Sequence, residues 1–498
     1  MTTSKKIKIL VLILLFTFSA AFLCPAKERK LSKRKITALK KEALSRVDKQ
    51  KETLNKAAKQ IWEFAELAME EYKSSKLLAN MLEKEGFHIE PVPGVPVAFV
   101  ASYGKGRPVI GILGEYDALP GLSQKAGSTE KEAIKAGAPG HGCGHNIFGV
   151  AAAGAAVAVK EVMEKYRLQG TVKFFGCPAE ETVEGKIYMA REGVFDGLDI
   201  CLDWHPSSKN RVGLGTSNAL NNFEVIFHGK TAHAAGDPWN GRSALDALEL
   251  MNQGVNYLRE HVKPTVRIHY VMTDGGLAPN VVPDYARAWY YVRGKDRREV
   301  ETVYARVLKI SEGAALMTET THEIHLITGV YNYLKNREVA KLLYRNLKFV
   351  GPTPFSAADQ EYARGMQRTL EEKEEGLSTK IEPFKEPEGY WGGGSTDAAD
   401  VSWLVPTASV NTACVPLNVP GHSWCVTSAS GSAVGFKGMH TAAKVLAAAV
   451  LETMADPGIV KRARAEFKEK TKDFVYKCAI PKGQTPRRGE PISPGPGN

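Results

Sequence analysis

The sequence predicts an α/β fold: a main domain built on a mixed, mostly parallel sheet flanked by helices, with a ferredoxin-like βαββαβ domain inserted into it. Three observations predict it. Strand-like runs alternate with helical periodicity before residue 215 and again after residue 335. Between them lies one β-α-β-β-α-β series of roughly 110 residues, the split plait of an independent unit. The composition is ordinary for a globular chain: 498 residues, 43% hydrophobic and 24% charged, with 46 Gly and 26 Pro. That excludes a collagen-like, coiled-coil or wholly disordered protein.

Taken in order, the first residues read as an export signal. Lys5, Lys6 and Lys8 precede the uncharged, largely apolar run Ile9 to Leu23, and small residues (Ser19, Ala20, Ala21, Ala26) follow as cleavage points. A membrane span needs about 20 apolar residues, so a retained anchor is the weaker reading. A lipoprotein on Cys24 is weaker too, because Phe22 and Leu23 are bulky for such a site. The expected location is periplasmic or secreted. Leu39 to Tyr72 has helical spacing, and Ser74 is placed as the N-cap of a second helix ending near Gly86. Strands follow at Val97–Tyr103 and Val109–Leu113, then a small-residue helix from Phe148 to Tyr166. Further strands are Thr171–Cys177 and Leu198–Trp204, with a short helix between.

The inserted series comprises Asn222–His228 (strand), Arg242–Glu260 (helix), Val266–Met272 and Ala286–Arg293 (strands), Arg297–Thr318 (helix) and Glu323–Thr328 (strand). A helix at Asn336–Phe349, a strand at Thr407–Thr412 and a helix at Gly438–Met454 complete the main domain. The divisions expected are therefore 1–26 signal peptide, 27–50 basic arm, 51–216 and 333–460 main domain, 217–332 insert, and 461–498 an extension with a frayed tail.

Charge is unevenly placed. Residues 1–26 carry +3 and residues 27–59 carry +9, so the other 439 residues hold −1 of the total +11. The body is nearly neutral, and a nucleic-acid groove is not indicated. Seven scattered Cys do not form a disulfide scaffold.

Four polar segments sit at or just after strands: Gly114-Glu115-Tyr116-Asp117, Gly140-His141-Gly142-Cys143-Gly144-His145-Asn146, Pro178-Ala179-Glu180-Glu181 and Asp203-Trp204-His205-Pro206. Strand carboxyl ends of an open α/β sheet face one crevice, so these segments converge. Cys143 and His145 are two apart among glycines, and thiolate and imidazole suit zinc and related divalent ions. Adjacent Glu180 and Glu181 point different ways, so one can bind metal while the other faces a water. Metal-assisted amide hydrolysis requires that division: a Lewis acid and a proton-shuttling carboxylate. A thiol amidase with Cys143 as nucleophile is the alternative, but it has no need of the Glu pair or the further ligand residues.

These segments resemble, in order and content, the co-catalytic metallopeptidase family of carboxypeptidase G, aminoacylase and the amidohydrolases of conjugated amino acids. The likeness rests on Gly-Glu-Tyr-Asp-Ala-Leu-Pro-Gly (114–121), Gly-His-Gly-Cys-Gly-His-Asn (140–146), Pro-Ala-Glu-Glu (178–181), His-Gly-Lys-Thr-Ala-His-Ala-Ala (228–235) and Gly-Gly-Ser-Thr-Asp (393–397), and covers roughly residues 50–460. It implies Cys143, His145, Glu181, His205 and His422 as metal ligands, Glu180 as general base, and Asp117 as the acid that orients a ligand. It implies that the insert is a lid and dimerisation domain. Its His233 would reach the other protomer's site to stabilise an oxyanion, and Asn280 would bind substrate.

The resemblance further implies two divalent ions per protomer, Mn²⁺ or Zn²⁺. Many members bridge the ions with an Asp, whereas this loop offers Cys143 and His145. The implied activity is hydrolysis of an N-acyl or N-aroyl amino acid, aminobenzoyl-glutamate being one example, by a homodimer or by a hetero-oligomer with a sister chain. The alternatives are a dipeptidase on the same centre and a non-catalytic metal-dependent binding protein.

Overall fold

A computed structural model describes residues 30–386 and 393–486. The segment expected as an export signal, with Cys24, and the last 12 residues of the tail lie outside the described residues. Ten strands are present among them: β1 (His88–Pro91), β2 (Phe99–Lys105), β3 (Val109–Glu115), β4 (Gly170–Cys177), β5 (Ile200–Ser207), β6 (Ala219–His228), β7 (Arg267–Asp274), β8 (Tyr285–Gly294), β9 (Thr321–Val330) and β10 (Thr407–Ala413). They form two sheets, ordered β1-β2-β4-β3-β5-β10 and β7-β8-β6-β9.

In the six-stranded sheet β3 pairs in parallel with β4 and β5, and β5 with β10, while β1 and β2 close one edge antiparallel. Parallel strands need both faces covered, which explains why β3 reads as a nearly continuous apolar run. One face is covered by the helix His145–Tyr166, apolar all round and buried along nearly its whole length. By length and composition it could cross a membrane, but 89% of its apolar window is inside the protein. Its Ala and Gly positions let Ala433–Ala455 and Lys51–Phe64 pack closely, with Leu54 seated against Gly154.

The segment expected as a basic arm is part of this packing. Lys33–Lys49 is helical, and Leu39, Ala43 and Val47 are buried against Ala433–Ala455, with Lys40 buried beside them and paired to Glu452 (3.1 Å). Ser74 does not cap a helix. It lies inside Tyr72–Lys84, because its hydroxyl donates to Glu66 (2.8 Å) and Glu71 occupies the cap position. Helices Ala357–Thr369 and Pro457–Lys470 and the edge strand β1 were not anticipated. The frayed tail, expected from Pro481 onward, needs correction as far as residue 486: the Gln484 amide donates to the Leu326 and Ile327 carbonyls of β9, and the Tyr188 hydroxyl donates to the Thr485 carbonyl (3.2 Å).

The second sheet is wholly antiparallel and carries Ala244–Leu258 and Arg297–Thr318 on one face. Phe223, Val225, Phe227, Leu248, Met251, Val292 and Val303 form its own core, separate from that of the main domain. At its base Leu220, Val330 and Tyr333 pack into the main domain instead. The insert therefore folds around its own centre and is anchored where the chain enters and leaves it.

Candidate metal centre and active site

The four polar segments converge as expected, with two differences of placement: Asp203 and His205 lie within β5, which runs on to Ser207, and segment 140–146 follows no strand but leads into the helix His145–Tyr166. Glu115 ends β3 and Asp117 follows it; Cys143 and His145 lie at the start of the buried helix; Glu180 and Glu181 follow β4. Ala179 has φ 55°, the left-handed region. Its N–H donates to buried Glu71 (2.8 Å), and the Glu181 N–H donates to Asp117 (2.8 Å). These bonds hold a turn that a non-glycine residue adopts only at a cost, and the turn sends the two glutamates apart.

His145 is the hub. Its Nδ1–H donates to Asp117 Oδ1 (2.7 Å), which fixes the ring with Nε2 turned to the centre. Around Nε2 stand Glu115 (3.2 Å) and Glu180 (3.9 Å). Cys143 Sγ lies 3.3 Å from His205 Nε2, and the His205 Nδ1–H donates to the Pro206 carbonyl (2.6 Å). His422, in the left-handed region and the most exposed of the set, lies 3.6 Å from Glu181. His141 of the same motif is turned away, bonded to the Ile61 carbonyl. His233 and Asn280 are both exposed on the insert, drawn together by a backbone bond from Ala234 to Asn280 (3.0 Å), and neither lines the cavity over this centre.

The residues fit a pair of cations. Cys143, His145 and His205 form one group with ligand atoms within 4.8 Å of one another, and Cys143, Glu181 and His422 form a second that shares the thiol. His145 Nε2, Glu115 Oε2 and Glu181 Oε1 are buried without a hydrogen-bond partner, an arrangement costly unless a positive charge completes it. Titration points the same way. Burial pushes Glu180 up to about 7 and Glu181 up to about 8, with neighbouring carboxylates adding to the push. Burial also pushes the Cys143 thiol up and brings His205 down to about 4. For His145 burial is outweighed by Cys143, Asp117 and Glu115, which raise it well above the ordinary range. For Asp117 burial is outweighed by His145, which holds it below the usual range.

Sequence reasoning missed the groups behind this shell. Lys186, fully buried, binds Glu115 and Asp397 at 2.6 Å each, and its N–H donates to Asp397 (2.7 Å). Burial opposes its charge, but the two carboxylates raise its pKa well above the usual value. Over the centre, between the main domain and the insert, is a cavity of ≈ 630 Å³. Its lining includes Cys143, Glu180, Glu181, His205 and His422 together with Asp203, Arg211, Tyr291, Arg293, Tyr333 and Lys335.

A strand-end ligand shell under an inserted plait defines a metal-dependent hydrolase of the two-domain kind. Residues 217–316 match the M20 peptidase dimerisation domain. Over 458 residues the chain is 39% identical to one of the component chains of p-aminobenzoyl-glutamate hydrolase from Escherichia coli K12, covering 86% of this chain and 95% of the relative. It is 29% identical to the mouse Xaa-Arg dipeptidase, over 90% of this chain and 96% of that one. Among solved structures, an aminobenzoyl-glutamate utilization protein from Klebsiella pneumoniae superposes with TM-score 0.56 at 17% identity, covering 81% of this chain and 96% of that one. A dinuclear metal-binding M20 peptidase from Bacillus subtilis superposes with TM-score 0.52 at 19% identity, covering 82% and 99%. The chain belongs to the M20 family of metallopeptidases and is a metal-dependent amidohydrolase.

Proposed function

We propose that the enzyme hydrolyses the amide bond of N-acyl or N-aroyl amino acids, with p-aminobenzoyl-glutamate, the compound in the Escherichia coli relative's name, as the leading substrate. One observation carries the reading: two donor groups sharing Cys143 stand beside Glu180, which lines the cavity and groups instead with Glu115 and His145.

Cys143, His145, Glu181, His205 and His422 would hold two divalent ions, Mn²⁺ or Zn²⁺, and Asp117 fixes the His145 ring so that Nε2 faces them. Bound there, the ions would polarise the scissile carbonyl and acidify a water. Glu180 takes the proton of the attacking water and returns it to the departing amine nitrogen. His233, from the partner protomer of a homodimer formed through the insert, donates to the developing oxyanion, and Asn280 beside it holds the substrate. A hetero-oligomer with a sister chain is the second assembly. It is favoured by the name of the Escherichia coli relative, which makes it one component of its hydrolase. It is favoured too by 28% identity over 208 residues to a homologue, from Haemophilus influenzae, of that hydrolase's other component. A dipeptidase on the same centre is the second reaction, favoured by the mouse relative. The enzyme acts outside the cytoplasm if residues 1–26 are an export signal; sequencing the N-terminus of the periplasmic or secreted protein tests this.

The function is tested by incubating Mn²⁺- or Zn²⁺-loaded enzyme with p-aminobenzoyl-glutamate, other N-acyl amino acids and dipeptides, and following amine release. Activity should vanish with a chelator and return with metal. Chelator-resistant turnover with an acyl group trapped on Cys143 would establish the thiol mechanism instead.

A further inference from the structure

The cavity is lined by charges of both signs: the carboxylates Glu115, Glu180, Glu181 and Asp203, and three cations, Lys335, Arg211 and Arg293, none of these three with a carboxylate at ion-pair distance among the described residues. Lys335 is the clearest case. It is largely buried just past the point where the chain returns from the insert, and the neighbour of its ammonium is the Tyr333 ring, 5.4 Å from the nitrogen. The acid that bears on it most, Asp203, is already engaged by the Tyr333 hydroxyl (3.4 Å).

Arg211 is tied to the metal shell. Its Nε donates to Asn411 Oδ1 (3.2 Å), and the Asn411 amide donates to the backbone carbonyl of the proposed ligand His205 (3.2 Å). That chain of bonds spends one nitrogen and leaves the forked end of the guanidinium for a ligand. Arg211 is near enough to Lys335 for their charges to oppose each other. Arg293 completes the set from β8, with Nε buried and without a hydrogen-bond partner. Lys335, largely removed from water, is an unfavourable cation until an anion arrives, while Arg211, exposed, adds a solvated guanidinium beside it. A single α-carboxylate would leave part of this charge unanswered, whereas a dicarboxylate answers it better.

We propose that Lys335 and Arg211 form an anion subsite that receives the side-chain carboxylate of the substrate's amino acid, making the enzyme selective for N-acyl derivatives of acidic amino acids over neutral or cationic ones. The proposal rests on the amidohydrolase reading of the neighbouring centre. A cationic side chain placed there would meet two like charges.

The experiment compares N-benzoyl-L-glutamate, N-benzoyl-L-glutamine and N-benzoyl-L-arginine. Turnover is measured with the metal-loaded enzyme, and binding by calorimetry with the metal-loaded Glu180→Gln variant. Wild type should prefer the glutamyl over the glutaminyl compound about ten- to hundredfold, the range of a charge-assisted contact. Lys335→Met and Arg211→Gln should each lower that ratio about tenfold, through KM, and Lys335→Arg should restore it. The same substitutions placed in the Glu180→Gln background should lower the binding ratio likewise. Equal turnover of all three compounds, or a preference that survives both substitutions, would overturn the subsite and leave the amidohydrolase intact. Equal losses on the glutamyl and glutaminyl compounds would put the α-carboxylate there and overturn side-chain selection. A glutamyl binding preference lost in Lys335→Met, with no compound hydrolysed, would sustain the subsite and refute the proposed reaction on these amides.

Discussion

Replacing Glu180 by Gln keeps the side chain's size and hydrogen-bonding reach but removes its capacity to accept a proton. Both glutamates lie near His145, at 3.9 and 3.8 Å, but Glu181 groups with the Cys143 thiol and His422, whereas Glu180 groups only with His145 and the Lys186-bound Glu115. Turnover of Glu180→Gln should therefore fall about 10²- to 10⁴-fold, with metal content per protomer unchanged by elemental analysis. Loss of one metal equivalent with most activity kept would show that the two roles are reversed. Lys335 gives a second test at this scale. Asp203 on β5, Arg211 and the Tyr333 ring face it; burial first, then Arg211, bring its ammonium down to about 8, against the pull of Asp203. It is charged below that pH and neutral above, so kcat/KM for N-benzoyl-glutamate should decline relative to N-benzoyl-glutamine as pH rises through about 8. Titrations of the metal centre affect both substrates and cancel in the ratio, since kcat/KM reports the free enzyme. Parallel profiles for the two compounds would remove Lys335 from the subsite.

At the scale of elements, the helix His145–Tyr166 couples the core to the centre through a close approach. A Cβ on Gly149 would come within 2.6 Å of the Glu115 carbonyl, and Glu115 is the carboxylate held between Lys186 and His145. Gly149→Ala should cost about 1–3 kcal/mol of stability, the usual toll of overpacking, and should also weaken metal binding. Gly313, on a lid helix with nothing within 4 Å of its Cβ position, is the control: alanine there should be neutral or mildly stabilising. Equal melting and metal affinity in Gly149→Ala and wild type would mean that the helix yields without disturbing Glu115. The long buried elements were legible because periodicity and small-residue runs mark them without reference to partners. Ala357–Thr369 and Pro457–Lys470 were missed because their apolar stripes are thin, although the Ser356/Asp359 capping box and the Asp456-Pro457 start were readable signals. At the centre, Cys143, His145, Glu181 and His205 stand in the dense polar segments read as converging, whereas His422 is placed with them by the resemblance alone; the fold brings the five side chains together. Glu71, Lys186 and Asp397 were not legible: a single Lys on a short helix reads as a solvated residue until the fold sets it between two carboxylates. Arg211 and Lys335 carry no local signal at all, since their meaning lies in the lack of a carboxylate at ion-pair distance.

The whole molecule divides into a unit that holds every proposed ligand and an insert that holds none, with His233 and Asn280 exposed on the insert, outside the cavity of their own chain. The insert matches a dimerisation domain and exposes Leu250 and Tyr257 on its first helix and Val271 and Met272 on its edge strand β7, the kind of surface a second copy covers. If that copy brings His233 to the site, then His233→Ala should bind metal normally and lose about 10²- to 10³-fold in turnover, as expected for an oxyanion donor. Mixing inactive His233→Ala with inactive Glu180→Gln then separates the two geometries. In a mixed dimer with His233 acting across the interface, one site carries both defects and the other carries neither. Random exchange of equal amounts makes half the dimers mixed, each with one intact site, so about a quarter of wild-type activity should return under two-fold symmetry. Exchange is verified independently with differently tagged protomers. Proven exchange without recovery would assign His233 to its own protomer or to a structural part, and the dimer would then no longer be required to complete the site.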